Sequence, residues 1–380
     1  MKKIYLDYAA ATPLDPKVLE AMKPYFSSKF YNPSAIYLEG RKIRRDLDEI
    51  RHKVAEIIGA KPAEIIFTAG ATEANNLAIQ GTLSEFPEGE ILVSAIEHES
   101  VLEPARLFKN TEIPVDKNGQ IILNKLSILI NDKTVLVSVI LVNNELGSIQ
   151  PLKEIANIIK KVRKQRLASG NEMPIYLHTD AAQAGNYLDL HVSRLGIDLM
   201  SLNGGKIYGP KQSGALYVKA GTNLKPLILG GGQEFGLRSG TENLAATAGF
   251  AQALTQASEI RHLEAKRVME LRQLFENHLK KKIPNVVING GHNRAPHLVN
   301  VTLPGIDNER LMMELDEAGI MCAVGSACSA ARDEASHVLS AIGLEDSQAR
   351  STLRFSLGKN ITKADIEKTV NELTRLTSSK

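Results

Sequence analysis

Apolar positions along the chain fall into two periods. Ile43, Leu47, Ile50, Val54 and Ile57 recur at helical spacing, and Gly59 sits where a helix C-terminus favours it. Short β-rich runs follow at EIIFT (64–68), ILVSA (91–95), VLVSVILV (135–142), PIYLHT (174–179), DLMSL (198–202) and GALYV (214–218). Several are apolar on both faces, as a parallel sheet covered by helices requires. Helical segments near 72–80, 99–108 and 152–168 supply the crossovers, so residues 14–255 read as an α/β domain. Near 255 the texture changes. A long charged helical pattern (241–282) leads into VVING, HLVNVTL, a helix from Asp307 and a closing helix from Thr362. Short strands followed by helices predict a smaller α+β domain over 256–380, with the long helix as the hinge.

Composition narrows the class. With 46 basic against 43 acidic residues, the chain has no charge excess that calls for nucleic acid, and RKIRRDLDEIRHK (41–53) reads as a solvated helix face. MKK runs into IYLDYAAATP with no apolar secretory core, and the longest apolar run, 135–142, is far below the ~18–20 residues of a spanning helix. A cytoplasmic protein is expected, or a matrix one if a leader was lost. Two cysteines, Cys322 and Cys328, exclude a disulfide framework, and no zinc-type Cys/His spacing accompanies them. No resident metal is expected.

Three segments carry candidate chemistry. In TAGATEANN (68–76) a strand ends, small residues turn the chain, and a helix begins near Thr72, which makes a natural phosphate seat and equally an ordinary N-cap. HTDAAQ (178–183) places Asp180 at the end of an apolar strand, where α/β ligands bind. LNGGKIYGPKQSGALYV (202–218) holds Lys206 in a glycine turn between two strands and is no Walker loop. Phosphate seat, acid and lysine together are what pyridoxal phosphate demands. His98 in EHES fails a zinc HExxH pattern because Leu102 holds the second position, and is suited to stacking and proton transfer. Asn143 and Asn144 end another strand, where an amide can reach a ring oxygen. Cys328 sits among Gly, Ser and Ala in a loop with little bulk to bury it, whereas Cys322 reads as an apolar filler. Arg354 lies in a strand of the small domain, and its planar fork matches an amino-acid carboxylate.

LDYAAATP (6–13), NPSA (32–35), GATEANN, EHESV, VNNELG, HTDAAQ, KIYGPK, GGGQEFGLRSGTEN (230–243), GSACSA and RFSLG run in order over essentially the whole chain. Together they resemble the cysteine desulfurases of the NifS/IscS group, class V aminotransferase-type enzymes. The resemblance implies a fold-type I pyridoxal-phosphate transferase. Its large domain has a mainly parallel seven-stranded sheet, and its small domain, 1–13 with 256–380, carries the Cys328 loop and Arg354. It implies a homodimer with shared active sites. Lys206 resembles the Schiff-base lysine, Asp180 the partner of the pyridine nitrogen, Gln183 and Asn144 contacts to the ring oxygen, and His98 the stacking imidazole. Ala71 and Thr72 match the phosphate seat, with Asn203 beside it and Thr241 reaching it from the other subunit. Arg354, with Asn32 and Asn144, resembles the substrate-binding site, and Cys328 the persulfide carrier that serves acceptor or scaffold proteins.

The implied reaction takes sulfur from L-cysteine, releases L-alanine and leaves a persulfide on Cys328 for iron–sulfur assembly or tRNA thiolation. Lys206 moves the Cα proton and His98 shuttles protons around the thiols. Selenocysteine lyase and other class V aminotransferase chemistry are the alternatives, and contact of Cys328 with a transient cluster stays open. The family usually reads Ser-Gly-His-Lys at the lysine; here Asn203, Gly204, Gly205 and Lys206 stand in those places. The missing histidine removes a charge-assisted hydrogen bond, which predicts weaker cofactor retention.

Overall fold

The computed structural model describes residues 3–325 and 335–378. A two-residue strand, β1 (Ile4–Tyr5), opens the chain. The central sheet is then built from β2 (Ile65–Thr68), β3 (Glu90–Ser94), β4 (Asn110–Ile113), β5 (Thr134–Ser138), β6 (Tyr176–Asp180), β7 (Leu199–Asn203) and β8 (Gly214–Val218). Their order is β2-β8-β7-β6-β5-β3-β4, seven strands in all. The run β4-β3-β5-β6-β7 is parallel, while β8 pairs antiparallel with both β2 and β7.

Side-chain alternation explains why these runs are apolar throughout. Ile66, Ile91, Val93, Leu136, Leu199 and Leu216 point to one face, where they pack on the helices Ala71–Glu85 and Glu99–Ala105. Ile65, Phe67, Leu92, Val137, Leu177 and Met200 point to the other, against Leu38–Ile58, Leu152–Ser169 and the start of Leu244–Lys282. Covered on both sides, β3, β5 and β6 are buried at every position. The edge strand β4 is different: Asn110, Thr111 and Glu112 are exposed and only Ile113 is buried, so it left no apolar run in the sequence. The run 135–142 forms a strand only as far as Ser138, which pairs with Val93 near the end of β3.

The second core gathers around β9 (Val287–Ile288), β10 (Leu298–Thr302), β11 (Ile320–Met321) and β12 (Thr352–Ser356). β10 lies between β9 and β12, antiparallel to both, and β1 pairs in parallel with β11. Helices Asn308–Glu317 and Lys363–Ser378 pack on this sheet with Leu311, Leu315, Ile366 and Val370. The 39-residue helix Leu244–Lys282 joins the two cores: Phe250 and Leu254 enter the first, Val268, Leu271, Phe275 and Leu279 the second. Its N-terminus is capped by Asn243, whose Oδ1 accepts from Ala246 N at 3.1 Å. No helix among the described residues is long and apolar enough to cross a membrane.

Candidate active site

A cavity of about 260 Å³ opens at the C-terminal ends of the parallel strands, where ligands of open α/β sheets bind. Ala71, Thr72, His98, Asn144, Asp180, Gln183, Asn203, Lys206 and Arg354 all line it. Most of these residues follow strand ends or begin helices at one edge of the central sheet, and Arg354 reaches the same space from the middle of β12 in the second sheet.

The anion end is the N-terminus of Ala71–Glu85. Its N-cap is Gly70, at φ 115°, with no side-chain bond to the first turn. The turn is tight because Gly70 passes against Gly214, where an added Cβ would meet Leu202 O at 2.2 Å and Gly70 Cα at 2.8 Å. The first-turn amides, with no side-chain cap among the described residues, and the positive helix end face the cavity. Asn203 borders them and spends its Oδ1 on Gly205 N at 3.0 Å.

Asp180, the last residue of β6, is buried, with Oδ2 accepting from Asn75 Nδ2 and Oδ1 from Ala182 N, each at 2.8 Å. A chain of hydrogen bonds runs on from it. Asn75 also donates to Ser100 Oγ at 2.8 Å, and Ser100 N donates to His98 Nδ1 at 3.0 Å. That last bond makes Nδ1 an acceptor and puts the neutral ring's proton on Nε2. Burial pulls the His98 pKa below its ordinary value, against the opposing pull of Asp180 and with help from Lys206. The imidazole is thus a neutral ring at the cavity wall.

Lys206 closes the turn Gly204–Lys206, and its Nζ donates to the Ala10 carbonyl at 2.5 Å. Gln183 donates to Ala9 O at 2.9 Å while its Oε1 faces His297 Nε2 at 3.3 Å. At the far end Arg354, in β12, donates through Nη2 to Asp7 Oδ1 at 2.7 Å and through Nη1 to Asn144 O at 3.2 Å. Its buried Nε has no acceptor among the described residues.

Several of these partners carry no local signal in the sequence. The segment 7–12 supports the cavity, which Ala9 and Ala10 line: Asp7 holds Arg354, Ala9 holds Gln183, Ala10 holds Lys206, and Thr12 Oγ1 donates to Gly205 O at 3.1 Å. His297 stacks on Tyr187 with centroids 4.5 Å apart, and burial followed by the nearby Arg354 charge pulls it down to about 3. Glu97 lies fully inside, its Oε1 accepting from Ile140 N at 2.5 Å, and burial together with the Asp180 charge raises its pKa well above the carboxylate range. Only a pattern of contacts between distant segments reveals such groups.

Other expected residues lie elsewhere. Asn143, grouped with Asn144 as a ligand of the ring oxygen, instead turns the chain: it donates to Ile96 O at 2.9 Å and accepts from Glu145 N and Leu146 N. Asn32 is exposed and caps its own loop by accepting from Ser34 N at 2.8 Å. Thr241 is also exposed, next to a second cavity of about 210 Å³ bordered by Gly240 and Glu242. Its segment is pinned by a buried bidentate pair, Arg51 to Glu234 with both bonds at 2.7 Å. Burial pushes the Cys322 thiol up to about 12, a poor nucleophile. Cys328 lies outside the described residues.

A family model described as aminotransferase class-V matches residues 4–369. The chain belongs to that family. Within it, the chain is 41% identical to the cysteine desulfurase IscS of Dictyoglomus turgidum over 99% of its own length and 94% of that protein's. A solved NifS-like protein superposes with a TM-score of 0.90 at 30% identity, covering 100% of both chains. A structure described as SspA in complex with cysteine gives a TM-score of 0.81 at 36% identity, over 94% of this chain and 99% of that one. The family's cofactor is pyridoxal phosphate. The cavity suits it: a helix start with no N-cap side-chain bond for a phosphate, the Asp180 carboxylate for a protonated ring nitrogen, the Lys206 amine beside them, and at the opposite end a buried Arg354 Nε with no acceptor among the described residues.

Proposed function

We propose that the chain is a cytoplasmic cysteine desulfurase that releases L-alanine from L-cysteine and keeps the sulfur on Cys328. The observation that carries this reading is the convergence of Lys206, Asp180 and Arg354 on one cavity, with a cation for a carboxylate at one end and an anion seat at the other. The first-turn amides of Ala71 and Thr72, with Asn203, would hold the cofactor phosphate, and Thr241 from a second copy would complete the cradle. Asp180 would keep the ring nitrogen protonated, Gln183 and Asn144 would bind the ring oxygen, and His98 would lie against the ring. Bound there, pyridoxal phosphate supplies the electron sink that makes the substrate Cα–H acidic.

Arg354 binds the substrate carboxylate by a charge-assisted fork, with Asn32 approaching from the loop side. Lys206 Nζ, now resting on the Ala10 carbonyl, takes the Cα proton and redelivers it. The Cys328 thiolate attacks the substrate sulfur: an S–S bond forms, the C–S bond breaks, and its electron pair passes to the carbon skeleton, which leaves as L-alanine after protonation. His98 Nε2 relays protons at this step. The persulfide is then handed to an acceptor or scaffold protein for iron–sulfur assembly or tRNA thiolation. In this reading two copies act as a dimer, which brings Thr241, exposed in its own chain, to the partner's cavity. Cys328→Ala tests the assignment: cofactor absorbance stays, while alanine release from L-cysteine and protein-bound persulfide both disappear. Alanine release at the wild-type rate in that variant would refute Cys328 as the acceptor.

A further inference from the structure

Arg354 is not simply waiting for a ligand. Its side chain is 2% exposed and one terminal nitrogen is held by Asp7 at 2.7 Å, while Asp7 itself keeps 19% of its side chain open. Asp7 is placed through its backbone: it bridges in parallel to Ser356 on the Arg354 strand, and its carbonyl accepts from the Tyr5 side-chain Oη at 2.9 Å and from Ala10 N at 3.0 Å. The guanidinium thus enters the cavity already tethered and half neutralised, with Nη1 on Asn144 O and Nε without an acceptor among the described residues. A carboxylate arriving at Arg354 meets a cation whose charge is shared with a fixed carboxylate.

We propose that Asp7 is a positioning residue that sets the grip of the site on α-carboxylates, by fixing the Arg354 fork and by opposing part of its charge. The proposal rests on Arg354 as the carboxylate site. The two effects act in opposite directions. The tether removes rotamer freedom from a long side chain, which favours binding. The negative charge repels an incoming anion, which weakens binding of substrate and product alike. Since L-cysteine and L-alanine carry the same carboxylate, a tighter grip would hold the product as firmly as the substrate and leave the chemical step unaided. Asp7 therefore acts as a brake on product retention.

Two variants separate the effects. Asp7→Asn keeps an acceptor for Arg354 at the same place and removes the charge; Asp7→Ala removes both. The readout is the dissociation constant of L-alanine from the holoenzyme, followed by the change in cofactor absorbance, beside that of ethylamine, the same amine without the carboxylate. Asp7→Asn tightens L-alanine roughly two- to fivefold, the size of a partly exposed charge pair. Asp7→Ala weakens it about tenfold, the size of one lost charge-assisted hydrogen bond. Ethylamine binding stays the same in both. An unchanged or weaker L-alanine constant in Asp7→Asn overturns the proposal, as does an equal shift for ethylamine. Arg354→Ala run alongside distinguishes the levels: if it leaves L-alanine binding intact, the carboxylate assignment of Arg354 itself fails. If it weakens L-alanine while neither Asp7 variant moves it, only the role of Asp7 fails.

Discussion

Restoring a histidine at position 205 is expected to tighten cofactor binding. Gly205 stands immediately before Lys206 at the anion end of the cavity, where relatives in the resemblance carry an imidazole. Space is available: an added Cβ comes no nearer than 3.5 Å to Asn203 Oδ1, and the next atoms, at 3.7 and 3.8 Å, belong to Lys211. These are ordinary contact distances, and Gly205 is not among the glycines at positive φ, so a side chain brings no backbone strain. The backbone around it is already fixed, with the Gly205 carbonyl accepting from Thr12 N at 3.2 Å and Thr12 Oγ1 at 3.1 Å, and Gly205 N donating to Asn203 Oδ1 at 3.0 Å. One added hydrogen bond to a charged group is worth about 1.5–3 kcal/mol, which is about a ten- to hundredfold lower dissociation constant for pyridoxal phosphate. The assay is titration of cofactor-free protein with pyridoxal phosphate, followed by absorbance, for wild type, Gly205→His and Gly205→Ala. Gly205→Ala supplies the Cβ without the donor and separates packing from hydrogen bonding. A Gly205→His affinity no better than that of Gly205→Ala would refute the reasoning.

Further outcomes follow from buried polar groups. Ser336 Oγ donates to the buried Glu145 Oε2 at 2.6 Å, so Ser336→Ala leaves a carboxyl oxygen unpaired and costs about 1–3 kcal/mol in urea unfolding; an unmoved midpoint contradicts this. His178, buried between Ser138 and Ser201, is pulled by burial to about 4, and His297 to about 3. Their folded values lie below the unfolded one near 6.5, so the unfolded chain binds more protons and stability is lost as pH falls from about 6.5 toward 4. For His178 alone the full loss is on the order of 3 kcal/mol, and unfolding free energies measured from pH 7.5 to 4.5 should fall less steeply in His178→Gln. A slope identical in wild type and variant contradicts the assignment.

How much was legible beforehand depended on which interactions each residue makes. β3, β5 and β6 announced themselves because both their faces are covered, whereas β4 was silent because Asn110, Thr111 and Glu112 face solvent. Lys206, Asp180 and the helix start at Ala71 stood out because strand ends and glycine turns have local signatures. Asn143 and Asn144 did not separate: adjacent residues of one type share a signature, and only the turn that consumes the Asn143 amide distinguishes them. Asp7, Ala10, Glu97 and His297 were missed for a further reason. Their importance comes from partners tens to hundreds of positions away, as in the Asp7–Arg354 pair separated by 347 residues, and no local spacing encodes that.

The account's central claim is that sulfur leaves L-cysteine for Cys328. A single-turnover reaction with L-cysteine and no acceptor or reductant tests it most directly, with L-alanine quantified and the protein digested to locate persulfide by mass. The account predicts one L-alanine per active site and an equal amount of added sulfur on the peptide holding Cys328. L-alanine formed without sulfur on that peptide, or pyruvate formed in place of L-alanine, would contradict it.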